Sequence, residues 1–144
     1  MKPQKIFRNC LAPFLAMSMC TASAYADVVV IVSAKSTITH LTAGQVTKIF
    51  LGKTATFPND GSAVPIDQAE GKSIRNEFYS KIANKSPSQI SAYWTKIIFT
   101  GDGYPPKQLE GNLDVKNAVA NNPNAIGYID RSVVDSSVRV ILAP

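Results

Sequence analysis

Thiol chemistry is almost absent from this sequence. The 144 residues include two cysteines, Cys10 and Cys20, and both lie close to the N-terminus. The long segment that follows them has no thiol, so it can form no disulfide, no cysteine-zinc site and no cysteine nucleophile. That segment must be held together by its apolar core alone, which is feasible for a domain of more than one hundred residues.

The chain is also poor in the groups that build catalytic and metal sites. It has one histidine, His40, whereas zinc needs three or four nitrogen, sulfur or oxygen ligands in one place. It has no Gly-x-Ser-x-Gly motif for a serine hydrolase. Its carboxylates are scattered, and the pair Asp67 and Glu70 is weak support for glycoside hydrolysis. We therefore expect no enzymatic activity, no metal and no cofactor.

The N-terminus has the three parts of an export signal. Its basic segment carries Lys2, Lys5 and Arg8. Residues 11–20 (LAPFLAMSMC) form a mostly apolar run that is too short for a bilayer, which needs about 20 apolar residues. Ala24-Tyr25-Ala26 then matches an A-x-A cleavage motif. We predict that residues 1–26 are a signal peptide and that residues 27–144 form a mature domain in the periplasm.

Two other interpretations of this segment stay open. The apolar run would also suit a buried N-terminal helix, although such a helix needs neither the basic residues nor the cleavage motif. A lipoprotein would carry its lipid on Cys20, but the bulky Met19 stands where a small residue is expected.

Basic character belongs largely to this leader. The whole chain has a formal charge of +5 and a pI near 9.3. Without residues 1–26, twelve Lys and Arg residues face ten acidic residues, which leaves a net charge of about +2. No stripe of basic residues remains, so we expect no nucleic-acid partner.

Strands and helices alternate along the rest of the chain. Residues 28–32 (VVVIV) are typical of a strand that is covered on both faces. Residues 41–50 predict a helix with Thr42 as N-cap and Gln45 completing a capping box. Residues 63–67 (AVPID) predict a strand in which Pro65 marks either an edge or a break.

The second half continues the alternation. A helix is predicted over residues 72–82. The Ser86-Pro87-Ser88-Gln89 capping box begins another helix. Its apolar stripe includes Trp94, which we predict to be a core residue. A short helix over residues 114–121 follows. The closing strands are residues 125–129 and 138–142. This order predicts one α/β domain.

The segment around Gly71 has part of the character of a phosphate loop. The full motif needs a glycine at the position of Ile66, so we exclude nucleotide hydrolysis. A helix start nevertheless leaves amides unpaired and favours an anion by ~0.3–1 kcal/mol in exposed settings. Lys72 and Arg75 add charge and Ser73 adds a hydroxyl donor. We predict an anion site at Gly71, Lys72, Ser73 and Arg75; the alternative is that these residues only cap a helix.

Several segments, in order, resemble the second lobe of the periplasmic phosphate-binding proteins of ABC transporters. They are residues 49–53 (IFLGK) with Phe57, the Asn59-Asp60-Gly61 turn and Phe78, residues 92–94 (AYW) with 99–101 (FTG), and residues 123–128 (PNAIGY). The resemblance covers residues 28–142. It implies a single lobe of the periplasmic-binding-protein fold, with a mixed β-sheet flanked by helices. It also implies phosphate or a similar oxyanion as ligand, a membrane transporter or sensor as partner, and no chemistry.

The sequence departs from that family in two respects. Members with the full architecture have two lobes and close on the anion, whereas this chain has the length of one. The family also places an arginine before the helix and Ser-Gly-Thr at its start. Here residues 67–73 read DQAEGKS, and only Gly71 and Ser73 match. Lys72 or Arg75 would have to replace the missing arginine, and lysine is not a bidentate ligand.

Three interpretations of function follow, of which the third, a hydrolase, has the least support. The first is an exported solute-binding-protein-like domain that recognises phosphate or a similar oxyanion. The second is a docking module that has lost anion binding. Between them lies a homodimer in which two copies close around a ligand. A concave polar pocket near Gly71, Ser73 and residues 100–103 would favour the anion, whereas a flat patch with exposed aromatics such as Tyr79 or Tyr104 would favour a protein partner.

Overall fold

The computed structural model describes residues 26–144, so the predicted signal peptide, except Ala26, lies outside the described residues. The strands are β1 (Val28–Ser33), β2 (Val64–Gln68), β3 (Lys107–Leu109), β4 (Ala125–Asp130) and β5 (Val138–Leu142). The α-helices are α1 (Ala43–Phe50), α2 (Ser73–Ala83), α3 (Pro87–Thr100) and α4 (Asn112–Ala120). None of these helices is long and apolar enough to cross a bilayer.

The five strands form one mixed sheet in the order β3-β2-β4-β1-β5. β1 is antiparallel to both of its neighbours, whereas β2 is parallel to β3 and to β4. Helices cover both faces of this sheet. The predicted α/β class, with a mixed sheet flanked by helices, is confirmed.

β1 divides the core into two layers, as its continuous β-branched sequence predicts. Val28, Val30 and Val32 point into a cluster shared with α1, α2 and α3. Val29 and Ile31 point into a smaller cluster shared with α4. Because successive side chains of a strand alternate between faces, a fully apolar strand belongs between two helical layers.

Both predicted capping boxes are formed. The Gln45 amide donates to Thr42 Oγ1 at 3.2 Å, and the Thr42 amide donates to Gln45 Oε1 at 2.9 Å. Ser86 and Gln89 make the same reciprocal pair at the start of α3. These side chains satisfy amides that a helix cannot pair internally, which fixes where α1 and α3 begin.

β2 is the element that the sequence pattern describes least well. It is an interior strand, because β3 covers its outer side, so the edge interpretation is wrong. Val64 and Pro65 pair with β4, and residues 66–68 pair with β3. The strand therefore changes partner just after Pro65, as the alternative of a break predicts.

Trp94 is buried on α3, which confirms its predicted core position. Its indole Nε1 has no hydrogen-bond partner among residues 26–144. The apolar stripe is shorter than the sequence indicates, because Ile98 is 49% exposed. The last turn of α3 therefore projects beyond the core.

Gly127 allows α4 to lie directly on the sheet. A Cβ atom at Gly127 would stand 2.7 Å from Cγ1 of Val115 and 3.0 Å from Cγ2 of Val119. Both valines are fully buried and belong to α4, so neither can move aside without moving the helix.

We expect Gly127→Ala to lower the free energy of unfolding by about 1–3 kcal/mol through overpacking. Urea unfolding measures this loss. Gly103→Ala is the control, because its Cβ would meet Ile97 at an ordinary 3.5 Å. Adding Val115→Ala should relieve the clash, so the double variant should be more stable than the sum of the single losses implies. If the two losses of free energy simply added in the double variant, that result would contradict the close approach of α4 to Gly127.

Candidate functional site

A buried carboxylate lies at the end of β2. Asp67 is 1% exposed and accepts three side-chain hydrogen bonds. The Tyr79 hydroxyl donates to it at 2.8 Å, the Arg75 Nε donates at 3.3 Å, and the Tyr128 hydroxyl donates to its other oxygen. A charge removed from water is tolerated when it is paired and hydrogen-bonded in this way.

The donors come from different elements that packing brings together. Tyr79 and Arg75 lie on α2, and Tyr128 lies on β4 beside β2. The Tyr128 ring stacks on Phe78 with centroids 3.8 Å apart. The Gln68 side-chain amide donates to the Tyr128 carbonyl at 3.1 Å and thereby ties the end of β2 to β4.

The electrostatics of the cluster keep both phenols neutral. Burial, together with the negative charge of Asp67, raises the pKa of Tyr79 well above its usual value. The same two causes raise the pKa of Tyr128. Arg75 supplies the positive charge, and its guanidinium carbon also lies 5.1 Å from the centre of the Tyr79 ring. The tyrosines therefore act as hydrogen-bond donors to a carboxylate whose counter-ion is Arg75.

Arg75 also faces a cavity of about 250 Å³. The cavity is lined by Glu70, Gly71, Arg75, Pro87 and Ser91. The side chain of Arg75 is only 4% exposed. A guanidinium has five N–H donors, and Nε uses one on Asp67. The two terminal nitrogens make no hydrogen bond with residues 26–144, so a buried cation with unused donors is among the residues that line the cavity.

The start of α2 lies beside this cavity. Lys72 is the N-cap and makes no side-chain cap, and the first turn contains no acidic residue. The amides of Ser73 and Ile74 have no partner among the described residues, as expected for the first turn of a helix. Gly71 precedes the helix with φ of +85°, a conformation that favours glycine. These amides and the helix dipole add to the donors of Arg75.

The four predicted anion-site residues occupy one corner of the fold. Gly71 and Arg75 line the cavity, whereas Lys72 and Ser73 are exposed at the helix start and are not part of its lining. Glu70 lies on the cavity wall and places an acidic group beside these cations. The corner therefore has many hydrogen-bond donors and little excess positive charge.

Sequence reasoning missed the cluster beneath this corner. The sequence analysis named Tyr79 and Tyr104 as possible exposed aromatic residues. Tyr79 is buried, because its face of α2 packs against the sheet beside Asp67. Tyr104 is 84% exposed, as proposed. Asp67 and Glu70 do not share an environment, because the first is buried among donors and the second is exposed. One feature of the sequence did indicate the buried cluster: Asp67 is a charged residue near the end of a mostly apolar strand. Within residues 26–144, no group of three or more His, Cys, Asp or Glu side chains could hold a metal ion.

No family model and no curated protein sequence matches the chain. Several solved structures share its fold. One comes from Clostridium perfringens and is described as a putative phosphate ABC transporter substrate-binding protein with bound phosphate. It is 23% identical to this chain with a TM-score of 0.65, and the match covers 81% of this chain and 44% of that one. An ABC-type phosphate transport receptor from Vibrio cholerae is 21% identical with a TM-score of 0.63, over 81% and 45%. PstS from Borrelia burgdorferi is 14% identical with a TM-score of 0.58, over 81% and 46%.

These similarities establish the fold. The chain has the fold of a single lobe of these phosphate ABC transporter proteins, which is the fold that the sequence resemblance implied. It spans less than half the length of each of these structures.

The raised pKa values of Tyr79 and Tyr128 predict a loss of stability in alkali. Their contribution is fully present below pH 10, the ordinary value, and declines above it because only the unfolded chain releases these protons. The free energy of unfolding should fall by up to about 1.4 kcal/mol per pH unit for each tyrosine.

Urea unfolding between about pH 8 and 11.5 tests this. Tyr79→Phe should reduce the slope above pH 10 by roughly one proton, whatever its effect on stability at neutral pH. Tyr104→Phe, at an exposed position, is the matched control and should leave the slope unchanged. An identical slope in Tyr79→Phe and the parent would show that Tyr79 ionises equally in both states.

Proposed function

We propose that this chain is an exported substrate-binding-type domain that recognises phosphate or a similar small oxyanion at the Arg75 cavity. It performs no chemistry and delivers or reports its ligand to a membrane transporter or sensor. The observation that carries the proposal is the buried Arg75 in the lining of a cavity, with terminal guanidinium nitrogens that have no hydrogen-bond partner among residues 26–144.

The donor geometry suits a tetrahedral oxyanion. The terminal nitrogens of a guanidinium can donate two parallel hydrogen bonds to two oxygens of one anion. The free amides at the start of α2 lie at the positive end of the helix dipole, and Lys72 adds charge at the rim. Asp67 holds Arg75 by its Nε, which leaves the terminal nitrogens to the ligand. Glu70 opposes a bare negative charge, so recognition relies on these hydrogen bonds.

The comparisons support the ligand class and limit the expected affinity. One structure with this fold is described with bound phosphate, and another is described as a phosphate transport receptor. Four of the five residues that line the cavity, Glu70, Gly71, Pro87 and Ser91, are themselves exposed, so the site is open to water. Water and salt screen an exposed site, so we expect weak, salt-sensitive binding unless a second copy or a partner covers it.

A docking module is the second candidate function. Phe99 is 89% exposed and Tyr104 is 84% exposed, and large exposed aromatics favour contact with a protein. The concave cavity around Arg75 favours the anion, which is why the oxyanion remains the first proposal.

The anion site is best tested without disturbing the Asp67 cluster. We expect Ser91→Asp to place a carboxylate at the cavity wall and to weaken phosphate binding about tenfold or more, equivalent to ~1.4 kcal/mol. Lys72→Gln should weaken it less, because Lys72 is exposed. Calorimetric titration with phosphate, sulfate and a neutral solute measures both effects.

Ser80→Asp is the matched control, since Ser80 is an exposed serine on α2 outside the cavity. It adds the same charge to the protein and should leave binding nearly unchanged. If the folded parent binds neither phosphate nor sulfate, the oxyanion proposal fails and the docking module becomes the better explanation.

Processing of the leader gives an independent prediction. Asp27 is held to the domain, because its carboxylate accepts from Arg131 Nε at 2.7 Å and its carbonyl accepts from the Arg131 amide at 2.8 Å. We expect the exported protein to begin at Asp27, because Ala24-Tyr25-Ala26 is an A-x-A cleavage motif. Cleavage after Ala26 leaves the Asp27 contact intact. Intact-mass measurement on periplasmic material decides the point. A mass that includes acylated Cys20 would indicate a lipoprotein instead.

A further inference from the structure

A second concave surface adjoins the Arg75 cavity at Pro87. It is a groove of about 520 Å³ along α2 and the first turn of α3, here the amide groove. Pro87 lines both surfaces, and the consecutive residues Arg75 and Asn76 line one each. The rest of the groove is lined by Ser80, Asn84, Lys85, Ser86 and Gln89. The cavity and the groove are therefore neighbours along one side of α2.

The amide groove contains hydrogen-bonding groups without partners. The side-chain amides of Asn76 and Asn84 make no hydrogen bond with residues 26–144. Gln89 uses its Oε1 on the Ser86 amide, and its Nε2 has no partner among the same residues. A side-chain amide both donates and accepts hydrogen bonds, and a hydroxyl group does the same. The groove therefore matches a ligand that is rich in hydroxyl groups.

The composition of the groove disfavours other classes of ligand. Among the described residues that line it, none is aromatic, none is acidic, and Lys85 is the one charged residue. A nucleobase would find no ring on which to stack. A divalent cation would find no carboxylate, and an acyl chain would find Pro87 as its one apolar wall residue. A neutral, hydroxyl-rich group fits this lining best.

The Arg75 cavity is also larger than an inorganic oxyanion requires. Its volume is about 250 Å³. A phosphate ion occupies about 70 Å³, little more than twice the share of one water molecule in the liquid. Glu70 in the lining accepts hydrogen bonds and, when ionised, donates none. A phosphate ester with hydroxyl groups fills more of this volume and can donate to Glu70.

We propose that the ligand of this site is a phosphorylated sugar, with its phosphate at the Arg75 cavity and its hydroxyl groups in the amide groove. The inference rests on the proposed function, because the cavity must hold an oxyanion, and it adds the organic part of the ligand. Asn84 follows Arg75 by nine residues, which is about 13 Å along a helix. A hexose 6-phosphate is roughly 10 Å long from its bond lengths. Together with the reach of the side chains, one such molecule spans both surfaces.

Calorimetric titration of the exported protein tests the ligand class. The probes are inorganic phosphate, glucose itself and the 6-phosphates of glucose, mannose and galactose. We expect at least one hexose 6-phosphate to bind about tenfold or more tightly than inorganic phosphate, because the groove adds several hydrogen bonds. Glucose should bind more weakly than either, since it lacks the group that pairs with Arg75.

The double variant Asn76→Ala/Asn84→Gly tests the assignment to the amide groove. It removes two side-chain amides, so the ratio of hexose-phosphate affinity to phosphate affinity should fall about tenfold. Alanine suits a helix, and glycine accepts the φ of +50° at residue 84, so the fold should be kept. Asn117→Ala is the matched control, because it removes an exposed amide of α4 that lies outside both surfaces. It should leave the ratio unchanged.

The outcomes separate this inference from the proposed function. If inorganic phosphate binds at least as tightly as every hexose phosphate, the sugar inference is wrong and the proposed function stands. If the folded parent binds neither phosphate nor any hexose phosphate, both are wrong. An affinity ratio that is the same in the parent and in the double variant overturns the role of the amide groove.

Discussion

The buried carboxylate of Asp67 constrains the rest of the domain. An ionised group that is 1% exposed is stable only when its donors are all in position, and here they come from α2 and β4 around the end of β2. A shift of α2 along its axis or a slip of β2 against β4 would remove a donor and leave a charge uncompensated. The cluster therefore specifies how the two halves of the chain meet, in addition to any stability it supplies.

Arg75 connects this structural requirement to the candidate site. Its Nε donates to Asp67, and this contact fixes the guanidinium of a residue that also lines the cavity. An exposed arginine would lose side-chain entropy on fixing its position for a ligand, whereas this one is already fixed by burial. The charge of Arg75 is partly balanced by Asp67, so the cavity offers directed donors more than net charge. Such a site discriminates by the geometry of oxygen atoms.

Local sequence patterns predicted what local interactions determine. The capping boxes at Thr42 and Ser86 and the continuous apolar strand β1 are properties of neighbouring residues, and all are present. The anion-site prediction rests on charge and helix-start chemistry, and it stays a prediction. It did not predict that Arg75 would be buried, or that Pro87 and Ser91 of α3 would close the cavity. These features depend on how α3 packs against α2. β3 was missed because three residues are too few to show a periodic pattern.

Ser91 lines both the Arg75 cavity and the open groove along α3 that Phe99 also lines. A partner that covers the Arg75 cavity must also lie close to the small side chains that lead to Phe99. That cover removes water from the site and strengthens its hydrogen bonds and ion pairs, because charges interact more strongly in a lower dielectric. By linkage, an anion bound in the cavity then strengthens the docking by the same factor. Under the proposed function, an oxyanion in the cavity and a partner that covers it would therefore share one coupled equilibrium, and a change at Ser91 would affect both.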